Sequence, residues 1–312
     1  MTYEFLSKSS NGDYLVTIAI GDAYFEKWRE FILPSWKIYA DVHGLGIAVA
    51  RTDLIDRSNP LWKKPTWQKM LIPSSLSETE VIRVCYLDTD ILINPFAPNI
   101  FEYFEQNKIG VTSIRSEMPY EPYEVQKKLA FFRNKYIDPT YPLDSSLFFT
   151  TKQLYEYHKF VDQGEEFCAG LLLFSNKEQE LRMRNWFNLY DSKVESITNG
   201  GDQTHLNYHI ISEGIQHFIP YKFQAIWAYE AAWNHPDLFM ENFESSNRIK
   251  NAISSVLLNN HFLHFAGGSK ESKVIWDKKN FDIEEFVETF KGLILYSKEK
   301  AKTPVLGTTF AN

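Results

Sequence analysis

Two cysteines, Cys85 and Cys168, are all that the 312 residues contain. Both lie in apolar runs, so they read as small buried hydrophobes, and a disulfide framework is excluded. A reducing compartment is the matching expectation. No window of about 18 apolar residues exists, so hydropathy marks no transmembrane helix. The opening stretch, MTYEFLSKSSNGDYLV, lacks the apolar centre of a signal peptide, and a cytoplasmic, soluble protein is expected. Basic blocks are missing as well. The net charge is −7, which argues against nucleic acid as a partner. No internal repeat, Gly/Ser linker or low-complexity tract interrupts the chain.

Aromatic residues, by contrast, reach 16%. Tyr, Trp and Phe in that amount suit a heavy core and also a surface that stacks on flat rings or sugar faces. Strand-like apolar runs alternate with helix-like ones. That alternation predicts an α/β fold with a mostly parallel mixed sheet flanked by helices. Strands are expected at Tyr14–Ile20, Gly46–Ala50, Val81–Leu87, Ile109–Ile114 and Phe167–Phe174, and a short strand or loop at His261–Phe265. Helices are expected at Ala23–Ala40, broken or kinked at Pro34, and at Thr66–Ile72, Asn99–Gln106 and Glu178–Tyr190. Two more come later in the chain: one from Gly200-Gly201 to Ser212, and one over Phe281–Glu299 capped by Asp282 and Glu285. Arg115–Leu143, with four prolines among tyrosines and phenylalanines, reads as an irregular excursion: a surface loop, or a lid or acceptor-binding wall. One domain over 1–312 is expected, with 115–145 as an aromatic insertion and 275–312 as a C-terminal helical extension.

The stretch VCYLDTDILINPF, Val84 to Phe96, carries the chemistry. The run before it is apolar apart from Arg83 and reads as a central strand. Ligands of open α/β sheets bind outside the carboxyl ends of strands, and Asp88 and Asp90 sit at such an end. On a straight strand their side chains diverge, so a turn after Leu87 must bring both to one ligand. Two neighbouring carboxylates repel and resist burial. A divalent cation with oxygen ligands removes both penalties. Asp-x-Asp alone is weak, since 15 aspartates give about 0.7 such pairs by chance. The strand before and the Asn-Pro after supply the context.

Three further segments point the same way. NNHFLHFAGGSK places His264 ahead of Gly267-Gly268 and Lys270. A neutral imidazole is a competent third ligand for a Mn²⁺-type ion, with His261 as its competitor. The glycines let backbone approach a phosphate that Lys270 neutralises; a surface turn with a packed histidine reads the segment equally well. TNGGDQTHLN sets Asp202 and Gln203 at a helix start, where the bland reading is a cap and the functional one a polar group facing a reacting sugar carbon. TIAIGDAY ends a strand at Gly21 and Asp22, either as a capped turn or as a floor for a base beside Tyr24.

Taken in order, these segments resemble the GT-A glycosyltransferases, most of all the retaining, glycogenin-like and lipopolysaccharide-galactosyltransferase-like group. YLDTDILI is similar to that group's YLDxDxxV metal motif. FCAGLLLFSN, GGDQTHLN and HFAGGSK look like its FNAGxxLxN strand, DQxxLN helix and HFxGxxKPW loop. Transferases of α-xylose and α-galactose with a WxDxD…HFAGC pattern are a second relative. The resemblance covers roughly Thr17 to Lys270. It implies a GT-A, Rossmann-like nucleotide-diphospho-sugar fold. It also implies Mn²⁺ (or Mg²⁺) bound by Asp88, Asp90 and His264, and a nucleoside diphosphate sugar donor, with UDP as the expected nucleotide. On it, Gly21, Asp22, Tyr24 and Thr89 line the nucleoside side. Lys69, Gly267 and Lys270 serve the diphosphate, and Ala169 and Gly170 the sugar. Gln203 and Asp202 stand beside the anomeric carbon. Cys168 stands where the group has Asn, and Glu271-Ser272 replace its Pro-Trp.

The reaction so implied moves a sugar to a hydroxyl of a glycan or glycoconjugate, with retention of configuration. An inverting transferase needs a carboxylate base, for which Asp202 and then Glu230 are candidates. A non-catalytic sugar-nucleotide-binding protein is the alternative outside catalysis. A phosphohydrolase would want its aspartate nearer the N-terminus, and a nucleotidyltransferase a Gly-rich basic loop after its first strand. Tyr120–Tyr141 and Trp227–Trp233 are the expected acceptor-binding segments.

Overall fold

The computed structural model describes residues 2–137, 149–194 and 201–290. Its largest element is a seven-stranded mixed sheet. The strands are β1 (Tyr3–Ser7), β2 (Asp13–Ile18), β3 (Gly46–Ala50), β4 (Arg83–Leu87), β6 (Ile109–Val111), β7 (Leu171–Ser175) and β8 (Gln216–Phe218). Across the sheet they run β1-β3-β2-β4-β7-β6-β8. Only β1 and β7 oppose the other five, so the expected mostly parallel sheet is present. β1 is an element that the sequence pattern does not announce. It is an edge strand with an alternating, partly exposed pattern, and lies before the run that reads most strongly as a strand.

The alternation along each central strand accounts for their unbroken apolar sequence. Leu15, Ile47, Val49, Cys85, Leu87, Leu171 and Leu173 enter one core. Tyr14, Val16, Ala48, Val84, Tyr86, Leu172 and Phe174 enter the core on the other face. A strand covered on both faces cannot carry the polar half of an amphipathic pattern. Arg83, the one charge in the β4 run, is answered by buried Asp13, whose carboxylate takes the guanidinium in a fork, 2.6 Å at Nε.

Helices cover both faces. The first expected helix is two, Asp22–Phe31 and Leu33–His43. The break falls at Ile32, and Pro34 lies in the first turn of the second helix, where its missing N–H costs nothing. The segment after Arg115 corrects the expectation of an irregular loop. Pro122–Phe132 is an α-helix running on into a π-helical turn at Arg133–Ile137. Glu121 caps it by accepting from the Glu124 N–H at 2.7 Å, and Pro122 starts it. A proline at a first helical position is an opener, not a breaker. The helices Trp227–Asn234 and Ser246–Asn259 are also additions to the expected set. Asn99–Gln106 shrinks to one 3₁₀ turn, Ile100–Tyr103, capped by Asn99. The expected C-terminal helix is seen as Ile283–Thr289, with Asp282 as its cap. Its continuation to Glu299, like Pro139, Tyr141, Pro142 and Gly200, lies outside the described residues. No described helix is long and apolar enough to cross a membrane.

A second, three-stranded sheet fixes the surroundings of the acidic pair. It holds β5 (Ile91–Ile93), β10 (Phe262–His264) and β9 (Ala225–Ile226), in the order β5-β10-β9. Chain reversal at Asp88–Ile91, closed by the Ile91 N–H on the Asp88 carbonyl at 3.3 Å, carries the backbone straight from β4 into β5. The antiparallel register then sets His264 opposite Ile91.

Candidate functional site

Asp88 and Asp90 lie in this reversal, not on a strand, so the turn required after Leu87 is where it was expected. The Phe265 N–H donates to the Asp90 carbonyl at 3.0 Å, which extends the small sheet to the acidic pair. His264, far along the sequence, is delivered beside them. Its Nε2 stands 3.1 Å from Asp90 Oδ1 and 3.9 Å from Asp88 Oδ2. The three ligand atoms lie within 4.8 Å of one another. The expected trio is therefore assembled, and His261 is excluded from it. That ring packs on Phe223 instead.

The imidazole is held from behind. With the Gln224 amide oriented to satisfy its neighbours, its oxygen accepts from His264 Nδ1 at 3.3 Å and from the Leu171 N–H at 3.0 Å. Its nitrogen donates to the Cys168 carbonyl at 3.1 Å. Such an outer partner orients the ring and directs Nε2 toward the carboxylates. Cys168 Sγ lies 3.5 Å from the same Nδ1. Burial works against a charge on His264, 3% exposed, but Asp90 and Cys168 more than offset it and push the imidazole well above its ordinary range.

Gly170 explains how so many groups fit. A Cβ there would stand 2.4 Å from His264 Cε1, 2.8 Å from Gln224 Nε2 and 2.9 Å from Asp88 Oδ2. Its carbonyl accepts from the Asp88 N–H at 2.8 Å. The Tyr86 hydroxyl donates to Asp88 Oδ1 at 2.6 Å.

Lys69 sits beneath the acidic pair and does not reach into solvent. It is 2% exposed. Its Nζ donates to the Ala169 carbonyl at 2.8 Å and lies 3.3 Å from Asp202 Oδ2 and 3.6 Å from Asp88 Oδ1. Burial opposes its charge, yet the two carboxylates raise its pKa. Pro65 opens the short helix Pro65–Gln68 that leads to it. Asp202, at the start of helix Gln203–Ser212, makes no capping bond; its carboxylate turns inward to Lys69. Burial lifts its pKa to about 6, against the pull of Lys69 and with the push of Asp88. Gln203 is held at both ends of its amide: its oxygen accepts from the Ala169 N–H at 3.4 Å and its nitrogen donates to Glu166 at 2.8 Å. Arg115 in turn pairs with Glu166 at 2.7 Å.

The remaining expected residues lie around this centre or away from it. Thr89 donates to the Tyr24 hydroxyl at 2.6 Å, which brings half-exposed Tyr24 to the acidic turn. Asp22 is fully exposed and pairs with Arg51 at 3.0 Å, and Gly21 sits at φ 93° in open space. Gly267 and Lys270 are exposed. Lys270 forms no ion pair with Asp88, Asp90 or Asp202 among the described residues. Glu230 lines a different cavity. Trp227, expected on an acceptor surface, is wholly buried against Phe265, and its indole N–H donates to the Glu271 carbonyl at 2.8 Å. Gln224 and Glu166 leave no signal in the sequence, because nothing local marks an amide or a carboxylate as a partner of residues so far away.

Neither a protein-family model nor a curated protein matches the chain. Solved structures of similar arrangement are glycosyltransferases. One is involved in glycosylation of the major capsid of PBCV-1, with TM-score 0.44 and 8% identity over 84% of this chain and 98% of that one. GlyE of Streptococcus pneumoniae TIGR4 gives 0.42 and 14%, over 90% of this chain and 64% of that one. The galactosyltransferase LgtC, in complex with donor and acceptor sugar analogues, gives 0.45 and 13%, over 90% and 99%. Similarity at this level assigns neither a family nor an activity.

Proposed function

We propose that this chain is a metal-dependent glycosyltransferase of the GT-A kind. It would take a sugar from a nucleoside diphosphate sugar, UDP being the expected nucleotide, and pass it to a hydroxyl of a glycan or glycoconjugate. The observation that carries the reading is the meeting of Asp88, Asp90 and His264 at the carboxyl end of β4, with Nε2 facing the carboxylates. Two carboxylates and one imidazole suit Mn²⁺, with Mg²⁺ as the harder alternative. The ion, when bound, supplies Lewis-acid neutralisation of a departing diphosphate.

The protein's own groups have the following proposed parts. Asp88, Asp90 and His264 hold the ion, and Gln224 and Gly170 keep His264 in line. Lys69 stands between Asp88 and Asp202 and offsets their repulsion. Tyr24 and Thr89, with Gly21 and Asp22 nearby in the chain, form the nucleoside side. Ala169 and Gly170 offer backbone to the sugar. Gln203, clamped by Glu166, holds its carboxamide toward the reacting carbon, with Asp202 next to it. Gly267 and Lys270 are exposed, and contact with a diphosphate requires their loop to fold over it. Beyond β10 that loop is tied down by the Ser272 hydroxyl on the Ala266 carbonyl at 2.7 Å. Retention is the proposed outcome, because Lys69 holds Asp202 where a free general base would be needed for inversion.

The test is direct. Protein with Mn²⁺ is mixed with a panel of nucleotide sugars and nucleoside diphosphate release is followed, then the product anomer is read by NMR. Release that depends on the ion and vanishes in Asp90→Asn is expected. Absence of binding to every nucleotide sugar removes the proposal.

A further inference from the structure

A cavity of about 730 Å³ opens on the far side of helix Trp227–Asn234. None of Asp88, Asp90, Asp202, Gln203 or His264 lines it. Its walls are the Glu117–Tyr120 segment, the chain leaving β8, that helix, and the end of helix Ser246–Asn259. The volume is that of an ordinary small-molecule site.

Glu230 stands in its wall, 4% exposed. Its Oε2 accepts from the Tyr120 hydroxyl at 2.7 Å and from Asn234 Nδ2 at 3.2 Å. Asn234 Nδ2 also donates to the Tyr120 oxygen at 3.0 Å. Tyr120, Asn234 and the Oε2 carboxylate oxygen thus form a fixed polar network along this wall. Burial pushes the Glu230 carboxyl up, while Tyr120, Tyr221 and Asn234 pull it down.

The remaining wall narrows the ligand class. Tyr120 and Tyr221 offer ring surface, and Trp233 backs Tyr120 at 5.1 Å between ring centres. Asn234 and Asn259 bring carboxamides, and Lys222 a single cation. Two carboxylates, Glu117 and Glu230, disfavour an anion. One lysine and the hydroxyl already bonded to Glu230 disfavour a polycation. A ligand with many hydroxyls and one apolar face satisfies all of these: hydroxyls donate to the exposed Glu117 carboxylate and accept from the carboxamides of Asn234 and Asn259, and the apolar face lies on the rings. We propose that this cavity is a second binding site, for a neutral saccharide, separate from the carboxylate–imidazole cluster. Its use as a holding place for part of a glycan acceptor rests on the transferase reading; the site itself does not.

The test uses the full chain in EDTA, without nucleotide, titrated calorimetrically with neutral di- and trisaccharides built from glucose, galactose and xylose. Binding by at least one is expected, weakened tenfold or more in Tyr120→Ala and in Asn234→Ala and unchanged in Asp90→Asn. Asn234 is exposed, so its variant stays folded where Tyr120→Ala does not. Binding that survives Asn234→Ala and Tyr120→Ala but is lost in Asp90→Asn places the sugar at the acidic cluster and overturns the proposal. So does the absence of saccharide binding, or binding of aliphatic diamines in its place. The two readings fail separately. Sugar transfer without saccharide binding in EDTA sinks only the second site, and saccharide binding with no nucleoside diphosphate release sinks only the transferase.

Discussion

Replacing Gly170 with alanine tests the assembled centre with a single methyl group. No positive φ is required there, so alanine fits the backbone and the whole effect is steric. The new Cβ would meet the His264 ring at 2.4 Å, whereas ordinary contact begins at 3.4 Å. The imidazole, or β7 itself, must give way by about 1 Å. The ring cannot retreat freely, because Gln224 holds its Nδ1 and Asp90 flanks its Nε2. A metal ligand tolerates only about ±0.2 Å, and disturbing an outer partner of a ligand costs roughly 10–100-fold in affinity. The expected loss of Mn²⁺ affinity is therefore at least that large, about 1.4–2.8 kcal/mol. Overpacking should remove a further 1–3 kcal/mol or so of stability. Manganese titration by electron paramagnetic resonance, with urea unfolding alongside, reads both. A Gly170→Ala protein that binds Mn²⁺ like the parent refutes the placement of His264 against Asp88 and Asp90.

Four other outcomes are expected. Gln224→Ala leaves the fold intact and weakens Mn²⁺ by about 10–100-fold, measured by the same titration; unchanged affinity contradicts the role given to Nδ1. Lys69→Met strips away the cation that faces both Asp88 and Asp202. Breaking a buried pair costs about 3–5 kcal/mol, seen in urea unfolding, and Mn²⁺ should recover part of it. Asp202 has a folded pKa raised to about 6. Its contribution is full below the ordinary carboxylate range and is lost as pH rises toward 6. In EDTA the parent should thus lose roughly 2 kcal/mol between pH 4 and pH 6, a loss Asp202→Asn does not show. Finally, Mn²⁺ competes with the proton that Asp90 and Cys168 favour on His264, so Mn²⁺ binding should weaken steadily as pH falls, and less so in His264→Ala.

Much of the sheet is legible in the sequence because β2, β3, β4 and β7 are covered on both faces and write their burial as unbroken apolar runs. The edge strand β1, half exposed, and the two-residue β9 leave no such mark. Helices opened by proline, as at Pro122, pass for irregular chain, since a proline at a first turn and a proline in a loop look alike until the cap at Glu121 is seen. The trio Asp88, Asp90 and His264 can be named because ligand chemistry limits the residue types. Gln224 cannot, and resemblance alone points to Gly170 and Lys69, for all three act through contacts made only after the chain has folded. Asp202 shows how position misleads: the place is that of a cap, but a buried ammonium outcompetes the helix N-terminus for its carboxylate.

The small sheet β5-β10-β9 carries an implication for biosynthesis. Its central strand is contributed by residues 262–264, long after the two aspartates have left the ribosome. A growing chain can therefore complete its larger sheet through β8 while His264 is still missing from the cluster. If the cluster binds an ion and a sugar nucleotide as proposed, unfinished products should be compact yet blind to both, and the capacity to load manganese would mark the moment at which synthesis has passed His264.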